Sequence, residues 1–132
     1  MPLSLPETAK AWIDGTEFAT VATLEPDGRP QLSVVWLARD GDDIVFSTVK
    51  GRRKQRNLER DPRATALVFP VEDPYTYLEV RGSVTMTEEG GRDLIDALHQ
   101  KYRARPGPYP GDSPETVRVV VRLRADQVVF YD

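Results

Sequence analysis

The 132-residue chain contains no cysteine and only one histidine. Without cysteine it has no disulfide, no thiolate metal site and no cysteine nucleophile, and one histidine disfavours a histidine-rich metal site or a proton relay. We therefore predict no metal site.

No apolar run approaches the roughly 18 residues of a membrane span. The opening segment MPLSLPETAK lacks the basic and apolar parts of a secretory signal, so we expect a cytoplasmic protein without membrane contact.

An excess of positive charge is also absent, because 18 Lys and Arg residues face 21 Asp and Glu residues. A nucleic-acid-binding domain usually carries a basic balance, so no nucleic-acid partner is expected. The 39% of apolar and 30% of charged residues are typical of a globular protein. A chain of this length buries roughly two thirds of its unfolded surface in one core. We predict a single domain over residues 1–132.

Alternating apolar residues and turn signals predict a mainly β fold. SLPETAKAWIDG is typical of a helix capped by Ser4 and ended by Gly15. Strands are predicted over 16–24, 31–38 and 44–49, with a hairpin at Asp27-Gly28, and we interpret 16–49 as an antiparallel meander.

The second half of the chain shows the same signals. A helix over 51–59 is expected to stop at Asp61-Pro62, because the residue before proline avoids the α region. Gly82 lies inside a long strand pattern and indicates a bulge. The remaining predicted elements are strands over 64–69 and 75–87, a helix over 88–104, a proline-rich loop over 105–115, and one or two strands over 116–132. Six to seven antiparallel strands with few helices predict a small barrel or sandwich.

A dense basic cluster contrasts with the acidic chain, since five of the seven residues from Lys50 to Arg56 are basic. It has three interpretations: a solvated helix face, a nucleic-acid contact, or a phosphate pocket for a small cofactor. The third is supported by position, because unpaired backbone amides at a helix start beside Gly51 form an anion site. Arg52 and Lys54 can add charge-assisted hydrogen bonds to the same anion.

The order of FATVATLEPDGRPQLSVVW, IVFSTVKGRRKQRNLERDPRATALV and YLEVRGSVTM resembles the split β-barrel family of pyridoxamine-phosphate-oxidase-like proteins. Within it, the chain is similar to the branch of small reductases that use the deazaflavin coenzyme F420. The resemblance covers about Thr16 to Asp132. It implies a split β-barrel of the FMN-binding type, a homodimer with a cofactor cleft at each interface, and hydride transfer to a small-molecule substrate.

The resemblance also implies which residues bind the cofactor. Arg52 and Lys54 would hold the coenzyme phosphates beside Gly51, with Asn57 nearby. The ring would be lined by Gln31, Leu32, Ser33, Val34 and Val35, the ring and ribityl chain would face Ser47, Thr48 and Val49, and Tyr75 and Tyr77 would come from the other subunit. Each group has a structural alternative: the valines can be core, and the tyrosines can be packing or interface residues. No residue can be named as catalytic, and His99 is expected to be structural or solvated.

Two rival functions remain open at this stage. FMN presents a phosphate to the same loop, although the flavin branch typically has a serine-arginine-lysine run where this chain has Lys50-Gly51-Arg52-Arg53-Lys54. F420 also carries a polyglutamate tail, which the extra positive residues are predicted to meet: Arg53, Arg56, Lys101, Arg103 and Arg105. The loop RPGPYPGDSP is expected to border the same channel.

The other rival is a non-catalytic cofactor carrier. The two functions differ in whether Trp36 lines an open substrate cavity or fills it. The resemblance implies planar conjugated substrates such as enones, quinones or tetrapyrroles.

Overall fold

In the computed structural model, residues 3–132 are described, and they form seven strands and three helices. The strands are β1 Ala19–Leu24, β2 Pro30–Val35, β3 Leu37–Asp40, β4 Asp43–Val49, β5 Arg63–Val68, β6 Tyr77–Thr87 and β7 Arg118–Tyr131. The helices are α1 Glu7–Asp14, α2 Arg53–Arg60 and α3 Gly91–Arg103. All strand pairs are antiparallel. The mainly β fold class and the strand number predicted from the sequence are confirmed.

The β1–β2 hairpin forms where Asp27-Gly28 predicts it. Gly28 adopts a φ of +88°, which is unfavourable for residues with a side chain. Its N–H donates to the Glu25 carbonyl at 2.9 Å, and the Asp27 carboxylate accepts from the Arg29 N–H at 3.1 Å. This local chemistry sets the register in which Thr23 faces Gln31.

The segment 31–38 is not one strand, and residues 16–49 are not a simple meander. β2 ends at Val35 and β3 begins at Leu37, with Trp36 between them. The strand order is β2-β1-β5-β6-β7-β4-β3, so β2 and β3 are the two outermost strands. Because one residue connects the opposite edges, the sheet must curl until those edges meet at Trp36.

The C-terminal end of α3 holds this junction by hydrogen bonds to backbone groups. The Tyr102 hydroxyl accepts from the Leu37 N–H at 3.1 Å and donates to the Glu17 carbonyl at 2.7 Å. The Lys101 ammonium donates to the carbonyls of Ile13 and Leu37, each at 2.6 Å. These contacts satisfy backbone groups that the strand break leaves without a ladder partner.

One end point of the first helix differs from the sequence prediction. Ser4 does not cap the first helix; the N-cap residue is Pro6, and no side chain caps the helix there. Gly15 follows the helix end as predicted, with its N–H bonded to the Ala11 carbonyl at 3.0 Å. The last segment is a single 14-residue strand, β7, which pairs with β6 and β4. Its central position explains why Val119 and Val121 are buried in the core.

The predicted bulge is present in β6. The register of β6 against β7 shifts between Arg81 and Gly82. A Cβ atom on Gly82 would lie only 1.8 Å from the Arg124 carbonyl oxygen. Glycine is therefore required here by close backbone approach, since the φ of Gly82 is not positive.

We predict that Gly82→Ala lowers the free energy of unfolding by about 2–4 kcal/mol, because the added methyl group forces the β6 and β7 backbones apart. Urea denaturation of the purified protein measures this change. Ser83→Ala, on the exposed neighbouring residue, serves as the control and should stay within about 0.5 kcal/mol of the wild type. Equal stability of both variants would show that the β6–β7 contact is not tight.

Candidate functional site

A cleft with a volume of about 510 Å³ lies where the curled sheet closes. It is bounded by the first turn of α2, the ends of β2 and β4, the start of β7, one side of α3 and the loop after α3. Its lining residues are Phe18, Gln31, Val34, Val35, Trp36, Ser47, Thr48, Arg52, Arg53, Lys54, Ile95, Leu98, Tyr109 and Arg118. The cleft thus has a basic end at α2 and an apolar, aromatic end at α3.

The turn into α2 uses some of the amides that the sequence suggested were free. Gly51 has a φ of +92°, and its N–H donates to the Gln55 side-chain oxygen at 2.8 Å. The Arg52 N–H donates to the Val49 carbonyl at 3.1 Å. The N–H groups of Gly51 and Arg52 are therefore already bonded within the chain. The helix begins one residue beyond Arg52, and the first-turn N–H groups that have no place in the helical ladder are those of Arg53, Lys54 and Gln55.

Lys54 is the most perturbed side chain of the cleft. Partial burial, with a smaller contribution from the neighbouring Arg52 charge, lowers the pKa of Lys54 to about 8. Its ammonium group lies 5.7 Å from the centre of the Phe46 ring. Among the residues that the structure describes, neither Lys54 nor Arg52 forms an ion pair. A bound anion would stabilise a half-buried cation that lies beside a second cation, so this pair favours an anionic ligand.

Much of the rest of the cluster is already paired. Lys50 bonds Glu88 at 3.2 Å, and Arg53 bonds Glu25 at 3.5 Å. Arg60 bonds the Leu24 carbonyl and the Asn57 side-chain oxygen. These contacts leave Arg52 and Lys54 as the cations available to a ligand at the basic end of the cleft.

The opposite end of the cleft is aromatic. Trp36 stacks on Tyr102 at 5.4 Å between ring centres, with the planes 10° apart. Tyr109 stands edge-on to Trp36 at 6.1 Å, with the planes at 89°. Phe18 packs against Tyr102 at 5.5 Å. Trp36 therefore lines the cleft without filling it.

The structure gathers seven of the fourteen predicted cofactor residues around the cleft. They come from β2, β4 and α2, and they are Gln31, Val34, Val35, Ser47, Thr48, Arg52 and Lys54. The Ser47 hydroxyl accepts from an Arg118 N–H at 3.3 Å, and the Gln31 side chain accepts from the Thr23 hydroxyl at 3.0 Å. Ser47 and Gln31 thus add polar groups to the lining of the cleft.

The other seven lie outside this lining within one chain. They are Leu32, Ser33, Val49, Gly51, Asn57, Tyr75 and Tyr77. Asn57 is buried and donates to the Thr23 hydroxyl at 3.1 Å, which gives it a structural role between α2 and β1. Tyr77 stacks on Tyr131 at 5.7 Å, whereas Tyr75 is exposed. The Ser33 hydroxyl oxygen is buried without a partner among the described residues.

Sequence reasoning missed five lining residues: Phe18, Ile95, Leu98, Tyr109 and Arg118. Ile95 and Leu98 are three residues apart on α3, which is typical of a packed helix face and carries no specific sign of a site. Arg118 begins β7 and bonds Asp112 at 2.7 and 2.8 Å. The hydrogen bonds from Arg118 are the main reason that the pKa of Asp112 lies below its usual range. The loop that contains Tyr109 was expected to border the coenzyme channel, but no sequence signal singles out Tyr109, because its position depends on the long-range fold of that loop.

Within residues 3–132, no group of three or more His, Asp or Glu side chains is placed to hold a metal ion. In the same range, no helix combines the length and the apolar character needed to cross a membrane.

The curled seven-stranded sheet with its three helices is a split β-barrel. The family model for pyridoxamine 5'-phosphate oxidase, PNPOx_N, matches residues 5–132, and the chain belongs to that family. The resemblance noted in the sequence is confirmed at this level.

Solved structures give the same fold. An F420 reductase is 28% identical, with a TM-score of 0.82, over 95% of this chain and 98% of that chain. The conserved hypothetical protein Rv2991 from Mycobacterium tuberculosis is 25% identical, with a TM-score of 0.78, over 99% of this chain and 86% of that chain. General Stress Protein 26 from Bacillus anthracis is 17% identical, with a TM-score of 0.71, over 96% of this chain and 92% of that chain. This last likeness bears on the fold alone.

We predict that Lys54→Met raises the free energy of unfolding of the ligand-free protein at pH 7 by about 1–3 kcal/mol, because it removes a half-buried charge. The gain should shrink as the pH rises from about 8 towards 10.5. In that window the folded wild type has released the Lys54 proton while the unfolded chain retains it, so this residue's contribution to stability rises with pH. Urea denaturation at pH 7 and at pH 10 measures the difference.

Lys10→Met is the matched control. Hydrogen bonds to Glu7 and Asp42 raise the pKa of Lys10, so its removal should slightly lower stability at pH 7. A Lys54→Met effect that is the same at both pH values would contradict the proposed burial of the Lys54 charge.

Proposed function

We propose that the protein is an F420-dependent oxidoreductase that binds the reduced deazaflavin coenzyme in the cleft and passes a hydride to a conjugated organic substrate. The observation that carries the proposal is the two-ended cleft. Two cations without acidic partners, Arg52 and Lys54, lie at one end, and apolar and aromatic walls lie at the other. The 28% identity to an F420 reductase over nearly both whole chains supports the same choice.

The donor set of the site fits such a coenzyme. A phosphorylated ligand gains charge-assisted hydrogen bonds from Arg52 and Lys54. The N–H groups in the first turn of α2 also favour binding of an anion at this helix end. Binding an anion at Lys54 would also relieve the electrostatic cost that lowers the pKa of Lys54. A planar ring system would find apolar contacts at Val34 and Val35 beyond the phosphate end.

The chain itself contributes binding, orientation and shielding. When bound, the reduced deazaflavin supplies the hydride, and the protein supplies a fixed position for it. The Ser47 and Gln31 side chains line the same cleft, and in this proposal they hold the polar edges of a ring or a ribityl chain. Ile95 and Leu98 exclude water from the α3 side of the cleft.

The proposed contact between the polyglutamate tail and the surrounding cations needs two corrections. Lys101 is excluded, because its ammonium group is bonded to the carbonyls of Ile13 and Leu37. Arg53 is paired with Glu25. Arg56, Arg103 and Arg105 remain the proposed tail contacts; the Arg103 guanidinium lies 5.6 Å from the centre of the Trp36 ring.

We predict that the protein binds F420 at micromolar or lower concentration and that Lys54→Ala weakens this binding about 10–100-fold. The lost interaction is a hydrogen bond to a charged group, worth about 1.5–3 kcal/mol. Titration of the cofactor-free protein, followed by F420 fluorescence, measures both values. Arg81→Ala removes a positive charge that is paired with Glu79 on β6 and should leave the affinity unchanged.

FMN is titrated in parallel, because it also presents a phosphate to Arg52 and Lys54. Tight FMN binding with weak F420 binding would assign the protein to the flavin-dependent members of the fold. If neither coenzyme binds, the basic cluster is a solvated helix face and has no role in coenzyme binding. Turnover of reduced F420 with a quinone acceptor then separates an enzyme from a non-catalytic carrier.

We also propose that the protein is a homodimer, with the exposed apolar surface around β2 as the interface. The large apolar side chains exposed in this part of the fold are Phe18, Leu32, Val34, Val71 and Tyr75. Leu32 and Val34 are 63% and 68% exposed, although they lie two residues apart on one face of an edge strand. Such a patch is typical of an association surface. In this arrangement Tyr75 and Tyr77 remain proposed contacts to the partner's coenzyme.

We predict that Leu32→Glu converts the dimer to a monomer, because it places a charge in the apolar patch. Light scattering after size-exclusion chromatography reads the mass directly, and twice 14.9 kDa is expected for the wild type. Thr85→Glu, at an exposed polar residue of β6, should remain dimeric. A monomeric wild type, or a dimeric Leu32→Glu variant, would contradict this interface.

A further inference from the structure

The loop between α3 and β7 contributes one side chain to the cleft, that of Tyr109. The Tyr109 ring stands at 89° to the Trp36 ring, 6.1 Å away. It also meets the buried His99 ring edge-on, 5.5 Å away at 75°. Tyr109 and Trp36 therefore form a right-angled corner that ends the apolar part of the cleft, with His99 as part of the wall behind it.

A buried ion cluster fixes this loop to the barrel. The Asp112 carboxylate is 1% exposed and accepts two hydrogen bonds from Arg118, at 2.7 and 2.8 Å. Arg92 on α3 bonds the same carboxylate at 2.7 Å. Two-point contacts between arginine and a carboxylate fix geometry as well as charge, so a residue three positions after Tyr109 is held between α3 and β7.

Further contacts fix Tyr109 itself. Its N–H donates to the Asp96 carboxylate at 2.8 Å, and the Arg118 guanidinium lies 5.1 Å from the centre of its ring. A Cβ atom on Gly111 would lie 2.5 Å from the Tyr109 hydroxyl oxygen and 2.6 Å from its ring carbons. The ring folds back over Gly111, and Pro108 and Pro110 restrict the backbone on either side of it. These contacts hold the proline-rich loop in one conformation, so that it forms a fixed wall of the cleft.

We propose that Tyr109 is the specificity-determining residue at the aromatic end of the cleft. Its ring limits how many fused rings a planar acceptor molecule can present there, and Asp112 is the positioning residue that keeps the ring in place. The role of Tyr109 in selecting a hydride acceptor rests on the proposed function. Its role in selecting which planar molecules fit the cleft rests on its geometry alone.

The selection is by size more than by charge. The neighbouring walls are the apolar side chains of Ile95 and Leu98 and the Trp36 ring. The cation that lines this end of the cleft, Arg118, is neutralised by Asp112, whereas Arg103, which lies beside Trp36, is not part of the lining. Apolar pockets discriminate between ligands chiefly through shape and contact area.

The test uses Trp36 as a reporter. The chain has two tryptophans, so Trp12→Phe leaves Trp36 as the single fluorophore of this type. Two probes of equal charge are titrated, 1,4-naphthoquinone-2-sulfonate with two fused rings and 9,10-anthraquinone-2-sulfonate with three. Dissociation constants are obtained from quenching of Trp36 fluorescence, in that background, for the parent protein and for Tyr109→Phe, Tyr109→Ala, Asp112→Asn and Asp126→Asn.

We predict that the parent protein prefers the two-ring probe and that Tyr109→Ala shifts the ratio of the two dissociation constants about tenfold towards the three-ring probe. Tyr109→Phe keeps the ring and should keep the parent ratio. Asp112→Asn should shift the ratio in the same direction as Tyr109→Ala by about threefold, because the loop is no longer fixed. Asp126→Asn, at an exposed residue of β7, should behave as the parent protein.

An unchanged ratio in a folded Tyr109→Ala variant, or no quenching of Trp36 by either probe in the parent protein, would overturn the proposal. If Asp112→Asn fails to fold, Tyr109→Ala decides alone. F420 affinity of the parent protein is measured separately, from the fluorescence of the coenzyme. Size selection without F420 binding would refute the proposed function and leave the role of Tyr109 standing, whereas F420 binding without size selection would refute only the role of Tyr109.

Discussion

The closure of the sheet at Trp36 is the constraint on which the rest of the structure depends. One residue links β2 and β3, which are the two outermost strands of the seven-stranded order. Lys101 and Tyr102 hold the backbone on either side of that link through carbonyl and amide groups. Burial lowers the pKa of Lys101 and raises that of Tyr102, because both polar groups are partly withdrawn from water.

The same closure creates the cleft. It brings the end of β2 next to the end of β4, and the chain leaves β4 through Gly51 into the first turn of α2. Arg52 and Lys54 are therefore carried to one end of the cleft, while α3 and its following loop form the other. The uncompensated charge of Lys54 is unfavourable for folding and favourable for binding an anion, which is the conflict expected at a functional site.

Features that depend on neighbouring residues could be predicted from the sequence. The Asp27-Gly28 hairpin, the bulge at Gly82 and the basic start of α2 all follow from local chemistry. Trp36 was placed inside a strand, because an isolated alternating pattern does not show that its two halves pair with opposite edges of a sheet. Lys101 was assigned to a ligand on the basis of its charge, although long-range contacts bind it inside the fold. Tyr109 could not be found for the same reason, since Asp112, Arg118 and Asp96 place it only after folding.

The most direct test of the central claim is the pKa of Lys54, measured by nuclear magnetic resonance of labelled lysine with and without F420. In the free protein the pKa of Lys54 should be about 8. With saturating F420 the pKa should rise above the ordinary lysine value of 10.5, because an adjacent phosphate favours the charged ammonium group. A pKa near 8 in both states would show that the coenzyme phosphate is not held at Lys54, and it would contradict the assignment of the basic end of the cleft.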